Sequence, residues 1–402
     1  MFVGQTEHLS RGYRPERVLR LYDTRRRSIA PVRARGREFT MYVCGVTPYD
    51  TTHLGHARTF LTFDVIVRLL EATGHPVRYV QNVTDIDESI LQRAARDKVG
   101  WRELGTREER AYLADMKRLG WRRPDVICHA TKELEAMFAL IRDLERRDAA
   151  YALPRGIYFP VAKATRYGEL SRLSVAAMKR ILAGQDDAKL EDPGRRDPRD
   201  FALWRFVDDG PTWPSAWGRG RPGWHLECSA MIRRHLGERI DLHGGGSDLV
   251  YPHHENEIAQ SETATRKRPF ARTWTHVAPM LLGGKKMSKS DGNMVFVRDA
   301  LKTTDPRALR LYLLDRHYRK PFDHDEALLD RARLRAKALG DALGRGPIGP
   351  IGRDRDTRDA LAALEDDLNV PRALRVIERA ASRADPKTRS SLRAVARIIG
   401  VV

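Results

Sequence analysis

The chain has 402 residues, 41% of them hydrophobic, and a formal net charge of +19, so we expect two or three packed units and a polyanionic partner such as nucleic acid. An arginine-rich genome composition is the alternative source of that charge. Residues 1–20 carry no apolar core of signal-peptide length, no run of about 18 apolar residues occurs, and the three cysteines are widely spaced. These features exclude disulfide-rich secreted and membrane-spanning proteins and predict a cytoplasmic, globular one.

The first hundred residues alternate strand and helix patterns. Phe60, Phe63 and Ile66 recur at helical spacing after a buried apolar run. Strand, helix, strand and helix in succession are typical of a parallel, doubly wound α/β sheet. The predicted elements are strands at 39–45 and 77–80, a helix at 55–71 that Gly74 ends, and a helix capped by Asp85 or Asp87.

The middle of the chain interrupts this alternation with helical segments, a short strand at 156–160 and a polar run at 184–199. Alternation returns with a strand at 240–243, a glycine turn at 244–246 and a helix near 253–265. We therefore predict four segments. They are 1–100 and 218–305 as the two halves of a catalytic sheet, 101–217 as an inserted subdomain, and 306–402 as a helical bundle with helices at 328–343 and 358–383.

Two short motifs carry candidate phosphate chemistry. His53, Gly55 and His56 lie where the first strand turns into a helix, and a helix start of this kind binds phosphates through its backbone amides. Lys286 and Lys289 belong to Lys-Met-Ser-Lys-Ser in a glycine-flanked loop, where ammonium groups would neutralise a departing pyrophosphate. Either motif alone would usually be a surface or capping feature.

A third constellation combines Cys44, Cys228, His253 and Glu257. His253 and Glu257 are four positions apart on a predicted helix, so their side chains would share one face. Thiolate, imidazole and carboxylate are ordinary zinc ligands. The alternative is two buried cysteines and a surface His/Glu pair. Cys128 matches no ligand position, and we expect a buried thiol there.

The two motifs, in this order and on either side of a split sheet, resemble the signature of class I aminoacyl-tRNA synthetases. Within that class the chain resembles the cysteinyl-tRNA synthetases from about Leu19 to its end. The blocks that carry the resemblance are Met-Tyr-Val-Cys-Gly at 41–45, Tyr-Val-Gln-Asn-Val-Thr-Asp-Ile-Asp at 79–87, Gly-Trp-His-Leu-Glu-Cys-Ser-Ala-Met at 223–231, and residues 241–260.

The resemblance implies a Rossmann-like sheet with an inserted subdomain and a helical bundle, and it implies one zinc ion per chain. It makes the metal ligands Cys44, Cys228, His253 and Glu257, with His254 in a supporting or structural role. It makes His53, His56, Lys286 and Lys289 catalytic. The ATP-binding residues would be His53, Gly55, His56, Gly244, Gly246, Asp248 and Lys289. Cysteine would contact Gly45, Thr84, Trp224 and His243.

The implied reaction has two steps. The carboxylate of cysteine attacks the α-phosphorus of Mg²⁺-bound ATP, which gives cysteinyl adenylate and pyrophosphate, and an acceptor then takes the cysteinyl group. Zinc binds a thiolate far better than the hydroxyl of serine, so one metal bond rejects the isosteric competitor.

The resemblance points to two different acceptors for the cysteinyl group. The chain stops where the anticodon-binding module of the usual synthetase would begin, and Thr-Pro-Tyr-Asp at 47–50 resembles the mycothiol-pathway ligase that joins cysteine to glucosaminyl-inositol. Glu257 and Tyr-Arg-Lys-Pro at 318–321 are synthetase-like, and residues 331–402 hold 16 Lys and Arg against 9 Asp and Glu. We expect a monomeric cysteine–tRNA ligase that acts on tRNA(Cys) and has no membrane partner. The alternatives are a cysteine ligase for a small amine and a non-catalytic RNA-binding relic.

Overall fold

The structure is a computed structural model that describes residues 18–50, 52–185, 190–287 and 292–402. It begins with an antiparallel hairpin of strands β1 (Arg20–Asp23) and β2 (Ser28–Pro31), which the sequence pattern did not predict. Thr24, just after β1, donates its backbone N–H to the carbonyl of Trp274. The hairpin is thereby fastened to the central sheet.

The first half of that sheet follows the predicted alternation. Its elements are β3 (Phe39–Val46), α1 (Leu54–Ala72), β4 (Val77–Val83), α2 (Glu88–Asp97), α3 (Trp101–Arg118) and β5 (Val126–His129). His53 caps α1 with its side chain, and Gly74, at φ 85°, follows its end. Asp87 caps α2 through the amide of Ser89, as one of the two predicted caps.

The segment predicted as an insertion supplies both β5 and a separate antiparallel sheet. Its remaining elements are α4 (Leu134–Glu145), β6 (Tyr151–Leu153), β7 (Gly156–Phe159), α5 (Val175–Ala183) and β8 (Phe201–Phe206), and β9 (Gly220–Pro222) follows just beyond its predicted end. Strands β6 to β9 pair in chain order. Residues 101–217 therefore add one strand to the central sheet before they form their own, and the predicted domain boundaries stay a prediction.

The chain returns through α6 (Trp224–Leu236), β10 (Ile240–Gly246), α7 (Glu255–Thr265) and β11 (Ala271–Val277). The central sheet is parallel throughout in the order β11-β10-β3-β4-β5. The predicted glycine turn at 244–246 is wrong, because these glycines continue β10 and pair with residues 275–277 of β11. Strand order reverses between β3 and β10, where open α/β sheets form their binding crevice.

Alternate residues of the central strands point into two different cores. Met41 and Val43 of β3 belong to the core beneath α1, whereas Tyr42 and Cys44 belong to the core beneath α4 and α6. Both faces of the sheet are therefore covered, as is usual for a parallel sheet.

Helices dominate the remaining chain. Its elements are β12 (Met280–Leu282), β13 (Lys285–Lys286), α8 (Val297–Thr303), α9 (Pro306–Leu314), β14 (Phe322–Asp323), α10 (Glu326–Leu343), α11 (Arg355–Glu365), α12 (Val370–Ala381) and α13 (Pro386–Ile399). The single helix predicted over 358–383 is wrong. Asp367 and Leu368 adopt positive φ, and Pro371 sits in the first turn of α12. These features break it in two.

A buried ion pair joins the bundle to the sheet. Arg310 of α9 and Asp64 of α1 are both fully buried and directly paired. Arg310 also donates to the carbonyls of Ile399, at 2.6 Å, and Leu119, at 3.2 Å. One guanidinium thus links α1, α9, the end of α13 and the segment after α3. The predicted fold class, a doubly wound parallel sheet with an insertion followed by a helical bundle, is confirmed. Among the described helices, none is long and apolar enough to cross a bilayer.

Candidate active site and metal centre

A cavity of about 580 Å³ opens at the carboxyl ends of the central strands. It lies at the point where the strand order reverses, between β3 and β10. Its walls come from the end of β3, the start of α1, the start of α2, β9 and α6, and the segment after β10. Its lining residues include Cys44, Gly45, His53, Gly55, His56, Trp224, Glu227, Gly246, Asp248 and Lys286.

The metal-ligand candidates converge at the floor of this cavity. One ligand atom from each of Cys44, Cys228, His253 and Glu257 lies within 4.8 Å of all the others, and all four residues are buried. The two sulfur atoms are 3.9 Å apart, and Nε2 of His253 lies 2.9 Å from Oε1 of Glu257. Two soft sulfur donors with one imidazole and one carboxylate suit tetrahedral zinc. The predicted ligand set therefore fits the metal chemically.

His253 reaches this site from the helical turn that leads into α7. The backbone of residues 250–254 departs from helical geometry at Tyr251, before His253, so His253 and Glu257 lie one turn apart and their side chains meet as the spacing predicted. The second ring nitrogen of His253 lies 3.0 Å from Nδ1 of His225. His225 thereby fixes the imidazole orientation. No separate sequence signal pointed to His225.

The cluster brings together groups that favour positive charge and groups that favour negative charge. Burial disfavours charge on His253, but Glu257 and Cys228 outweigh it and raise the pKa of His253 to about 10. Burial likewise opposes charge on Glu257, yet His243 and His253 lower its pKa to about 2. Burial raises the pKa of the Cys44 thiol. Burial also opposes charge on Cys228, but the hydrogen bond from Cys44 and the charge of His253 outweigh it and lower the pKa of Cys228 to about 6. A thiolate and a carboxylate are thus already favoured.

Two further histidines crowd the same cluster. Cys44, His243, His254 and Glu257 form a second set whose ligand atoms lie within 4.8 Å of one another. Nε2 of His254 is 3.3 Å from the Cys44 sulfur, and its Nδ1 is 2.7 Å from Nε2 of His276. Burial and the neighbouring histidines lower the pKa of His254 well below its usual value, so it stays neutral. The expected supporting role for His254 stays a prediction.

His243 lies within this cluster rather than on the cavity wall. Its Nε2 is 2.7 Å from Oε2 of Glu257, and its ring stacks on Trp274 at 4.4 Å. It is absent from the described residues that line the cavity. The geometry therefore brings His243 to the metal cluster, where it orients Glu257, and its predicted contact with cysteine stays a prediction.

The first turn of α6 forms the wall beside the cluster. Trp224 stacks on His253 at 4.3 Å and lines the cavity. Thr84 is buried and accepts a hydrogen bond from Asn82 at 3.1 Å. Gly45 lies so close to β4 that a Cβ would stand 1.8 Å from the carbonyl oxygen of Asn82. Only glycine permits this approach at the end of β3.

Glu227, which lies in the block at 223–231 and had no predicted role, also lines the cavity. It is buried, and its Oε2 has no hydrogen-bond partner among the described residues. Burial, reinforced by Cys228 and Asp87, raises the pKa of Glu227 well above its usual value. Its spacing of three from Trp224 was the one available sequence signal.

The opposite wall is the start of α1. Nδ1 of His53 accepts from the amides of Gly55, at 3.1 Å, and His56, at 3.4 Å. The rings of His53 and His56 stack at 3.8 Å, and both line the cavity. The positive end of a long helix and two imidazoles thus face the same space, which suits a polyphosphate.

The segment after β10 completes the site. Lys286 Nζ lies 2.9 Å from Oδ2 of Asp248, and both line the cavity with Gly246. A Cβ on Gly244 would stand 2.2 Å from the Phe63 ring, so this glycine lets α1 pack against the sheet. Lys289 falls within residues 288–291 and lies outside the described residues.

Residues 31–334 match the family described as tRNA synthetases class I (C) catalytic domain. The chain belongs to this family. The resemblance stated from the motifs is thereby confirmed, and the protein is a ligase of the class I synthetase family, whose members use ATP.

Relatives within the family carry two different names. The chain is 45% identical over 371 residues to the L-cysteine:1D-myo-inositol 2-amino-2-deoxy-alpha-D-glucopyranoside ligase of Nocardia farcinica, with 90% of this chain and 88% of that protein aligned. It is also 45% identical over 327 residues to the cysteine–tRNA ligase of a Picosynechococcus species, covering 81% and 69%. Because the two relatives are equally identical to this chain in sequence, sequence identity does not tell which of their two activities it has. Cysteine appears in the names of both.

Solved class I synthetases share the fold. The Mycobacterium tuberculosis methionyl-tRNA synthetase in complex with methionyl-adenylate superposes with a TM-score of 0.62 at 18% identity, covering 91% of this chain and 90% of that one. At this identity the likeness establishes the shared architecture alone.

Proposed function

We propose that this protein activates cysteine with ATP and transfers the cysteinyl group to tRNA(Cys), as a cysteine–tRNA ligase. One juxtaposition carries the proposal: a buried two-thiol metal cluster and the start of α1, with its two stacked histidines, open into the same cavity. The metal cluster would bind a thiol, and the start of α1 would bind phosphates.

Cys44, Cys228, His253 and Glu257 would hold one zinc ion, because their donor set fits zinc. When bound, zinc accepts the thiolate of the substrate and thereby distinguishes cysteine from serine, whose hydroxyl is a poor ligand. The chain's own part is to supply two sulfur donors at 3.9 Å and to orient His253 through His225.

The phosphates of Mg²⁺-bound ATP would lie at the start of α1, against its positive end and the stacked rings of His53 and His56. His53, His56 and Lys286 would stabilise the charge that moves onto pyrophosphate as the cysteine carboxylate attacks the α-phosphorus. By the motif, Lys289 would add a second ammonium group. Gly246 and Asp248 would contact the adenosine, with Asp248 accepting from the ribose hydroxyls.

The acceptor is assigned from charge. Residues 331–402 hold 16 Lys and Arg against 9 Asp and Glu, and Arg372 and Arg375 of α12 are exposed. A surface of this kind suits the phosphates of an RNA stem. We further propose that the protein is a cytoplasmic monomer. Residues 1–100 and 218–305 would form the two catalytic halves, 101–217 the insertion and 306–402 the bundle that faces the RNA.

A second candidate is ligation of cysteine to a small amine such as glucosaminyl-inositol. One observation favours it: Thr47 and Tyr49, from the turn that resembles the mycothiol-pathway ligase, line the cavity. The activation step would be unchanged, and only the acceptor would differ.

Two assays test these proposals in turn. Cysteine-dependent ATP/pyrophosphate exchange should be efficient, and exchange with serine should be negligible; equal exchange would refute the thiolate argument. Purified enzyme should then charge tRNA(Cys) with an affinity that falls steeply with salt. Amide formation with glucosaminyl-inositol, indifferent to salt and without tRNA charging, would replace the first candidate by the second.

Charge reversal sharpens the acceptor assay. Arg372→Glu with Arg375→Glu should raise the KM for tRNA and leave cysteine-dependent exchange intact. The matched control reverses Arg33 and Arg37, two exposed arginines at the amino end of β3, away from the cavity. An equal rise in KM from both pairs would show that net charge, rather than the bundle surface, governs binding.

A further inference from the structure

Glu227 presents a buried carboxyl group to the cavity. The residue is 1% exposed, it lines the cavity, and its Oε2 has no hydrogen-bond partner among the described residues. A buried polar atom left unsatisfied is costly and rare, since most such atoms find a partner. Because Glu227 lines an open binding space, a ligand bound there is the natural source of a partner for its carboxyl group.

The position of Glu227 on α6 fixes which part of a ligand it meets. Trp224, Glu227 and Cys228 stand at positions i, i+3 and i+4 of this helix, so their side chains share one face. Cys228 is directed to the metal cluster, where its sulfur lies 3.9 Å from that of Cys44. The Glu227 carboxyl is therefore next to the place where a substrate sulfur would bind.

The carboxylate nearest to Glu227 on the cavity wall favours a cation at this point. Asp87 and Glu88 both line the cavity, and Glu88 is paired with Arg221 at 2.9 Å, so Asp87 is the acidic neighbour that acts on Glu227. A negative group in a buried wall attracts a positively charged partner. In cysteine only three bonds separate the sulfur from the amino nitrogen.

We infer that Glu227 receives the α-ammonium group of the bound cysteine and so positions the amino acid for activation. This assignment rests on the proposed function, because it takes cysteine as the substrate. The metal cluster would bind the thiol of cysteine, and Glu227 would bind its amine. Two-point recognition of this kind admits α-amino thiols and discriminates against thiols that lack the amine.

Binding calorimetry on zinc-loaded protein tests the assignment with two probes, cysteine and 3-mercaptopropionate, which lacks only the amino group. Glu227→Gln should weaken cysteine binding about ten- to a hundredfold, the range of a hydrogen bond to a charged group, and barely change that of 3-mercaptopropionate. The control is Glu133→Gln, which alters another buried carboxylate, paired with Arg234 and His235 at the far end of α6. It should change neither affinity.

Cobalt in place of zinc gives an independent readout, because its thiolate absorption band reports the geometry of the cluster. An unchanged band in Glu227→Gln, together with the selective loss of cysteine binding, supports the inference. Equal weakening of both thiols, or a shifted band, overturns it and leaves Glu227 a structural residue. If the variant does not fold, the two affinities of the wild type test the assignment, since the wild type must bind cysteine at least about tenfold more tightly than 3-mercaptopropionate. If the wild type binds both thiols equally well, this assignment alone is overturned. If it binds neither thiol, the proposed function is overturned.

Discussion

The buried pair of Asp64 and Arg310 lends itself to a quantitative test. Arg310→Met removes the ionic partner of a fully buried carboxylate and leaves the carbonyls of Ile399 and Leu119 without their guanidinium donor. Breaking a buried ion pair from one side costs about 3–5 kcal/mol. Arg68, at 2.9 Å, still neutralises part of the charge on Asp64. We therefore expect a loss of about 4 kcal/mol, a large share of the roughly 5–15 kcal/mol that holds a protein folded.

Urea denaturation followed by tryptophan fluorescence measures this loss. The matched control is Arg307→Met on the same helix, which breaks an exposed pair with Asp305 and should cost at most about 1 kcal/mol. Replacing both buried partners, with Asp64→Leu added to Arg310→Met, should recover much of the stability, because no uncompensated charge stays buried. A loss in Arg310→Met no greater than in Arg307→Met would refute the reasoning.

The same pair predicts a dependence on pH. Burial opposes ionisation of Asp64, but Arg310 and Arg68 outweigh it and hold the pKa of Asp64 below its usual value. A depressed pKa in the folded state stabilises the protein above the unfolded value of about 3.9. That stabilisation disappears as the pH falls through the folded value. The stability gap between wild type and Arg310→Met should therefore narrow in acid, and a gap that widened would contradict the assignment.

Three further predictions concern the site. Cys228→Ser should lower zinc content from about one per chain, because a neutral hydroxyl replaces a thiolate; metal analysis showing full occupancy would count against the ligand set. Lys286→Ala should lower the kcat of pyrophosphate exchange about ten- to a hundredfold and change cysteine binding little, whereas Lys302→Ala on α8 should change neither. Gly244→Ala should destabilise the fold by about 1–3 kcal/mol in urea, since its Cβ would stand 2.2 Å from the Phe63 ring; wild-type stability would show that α1 shifts freely.

Much of the site was predictable because its signals are local. The start of α1 follows from a cap and a helical repeat, and His53 takes the cap position through its own side chain. Cys44 and Cys228 were singled out by their residue type and by the blocks around them. A thiol or an imidazole keeps its chemistry wherever the chain carries it.

The errors arose where the backbone conformation depends on neighbours. The glycines at 244–246 suggest a turn by composition, yet β11 supplies the hydrogen bonds that extend β10 through them. The break at Asp367 lies inside an apolar pattern that continues on both sides. Asp367 accepts hydrogen bonds from Tyr22 and Tyr318, which are remote in sequence, and these hold the left-handed turn.

The sequence by itself determined the fold class, the family and the residue types of the metal cluster, because hydrophobic period, caps and ligand chemistry are properties of short segments. Only the tertiary structure decided that His243 joins Glu257 at the cluster, that His225 orients His253, and that Glu227 lines the cavity with its Oε2 unpartnered among the described residues. Those facts depend on which side chains converge when strands from both halves of the chain pair. That convergence is set by sheet order and register, which local pattern does not contain.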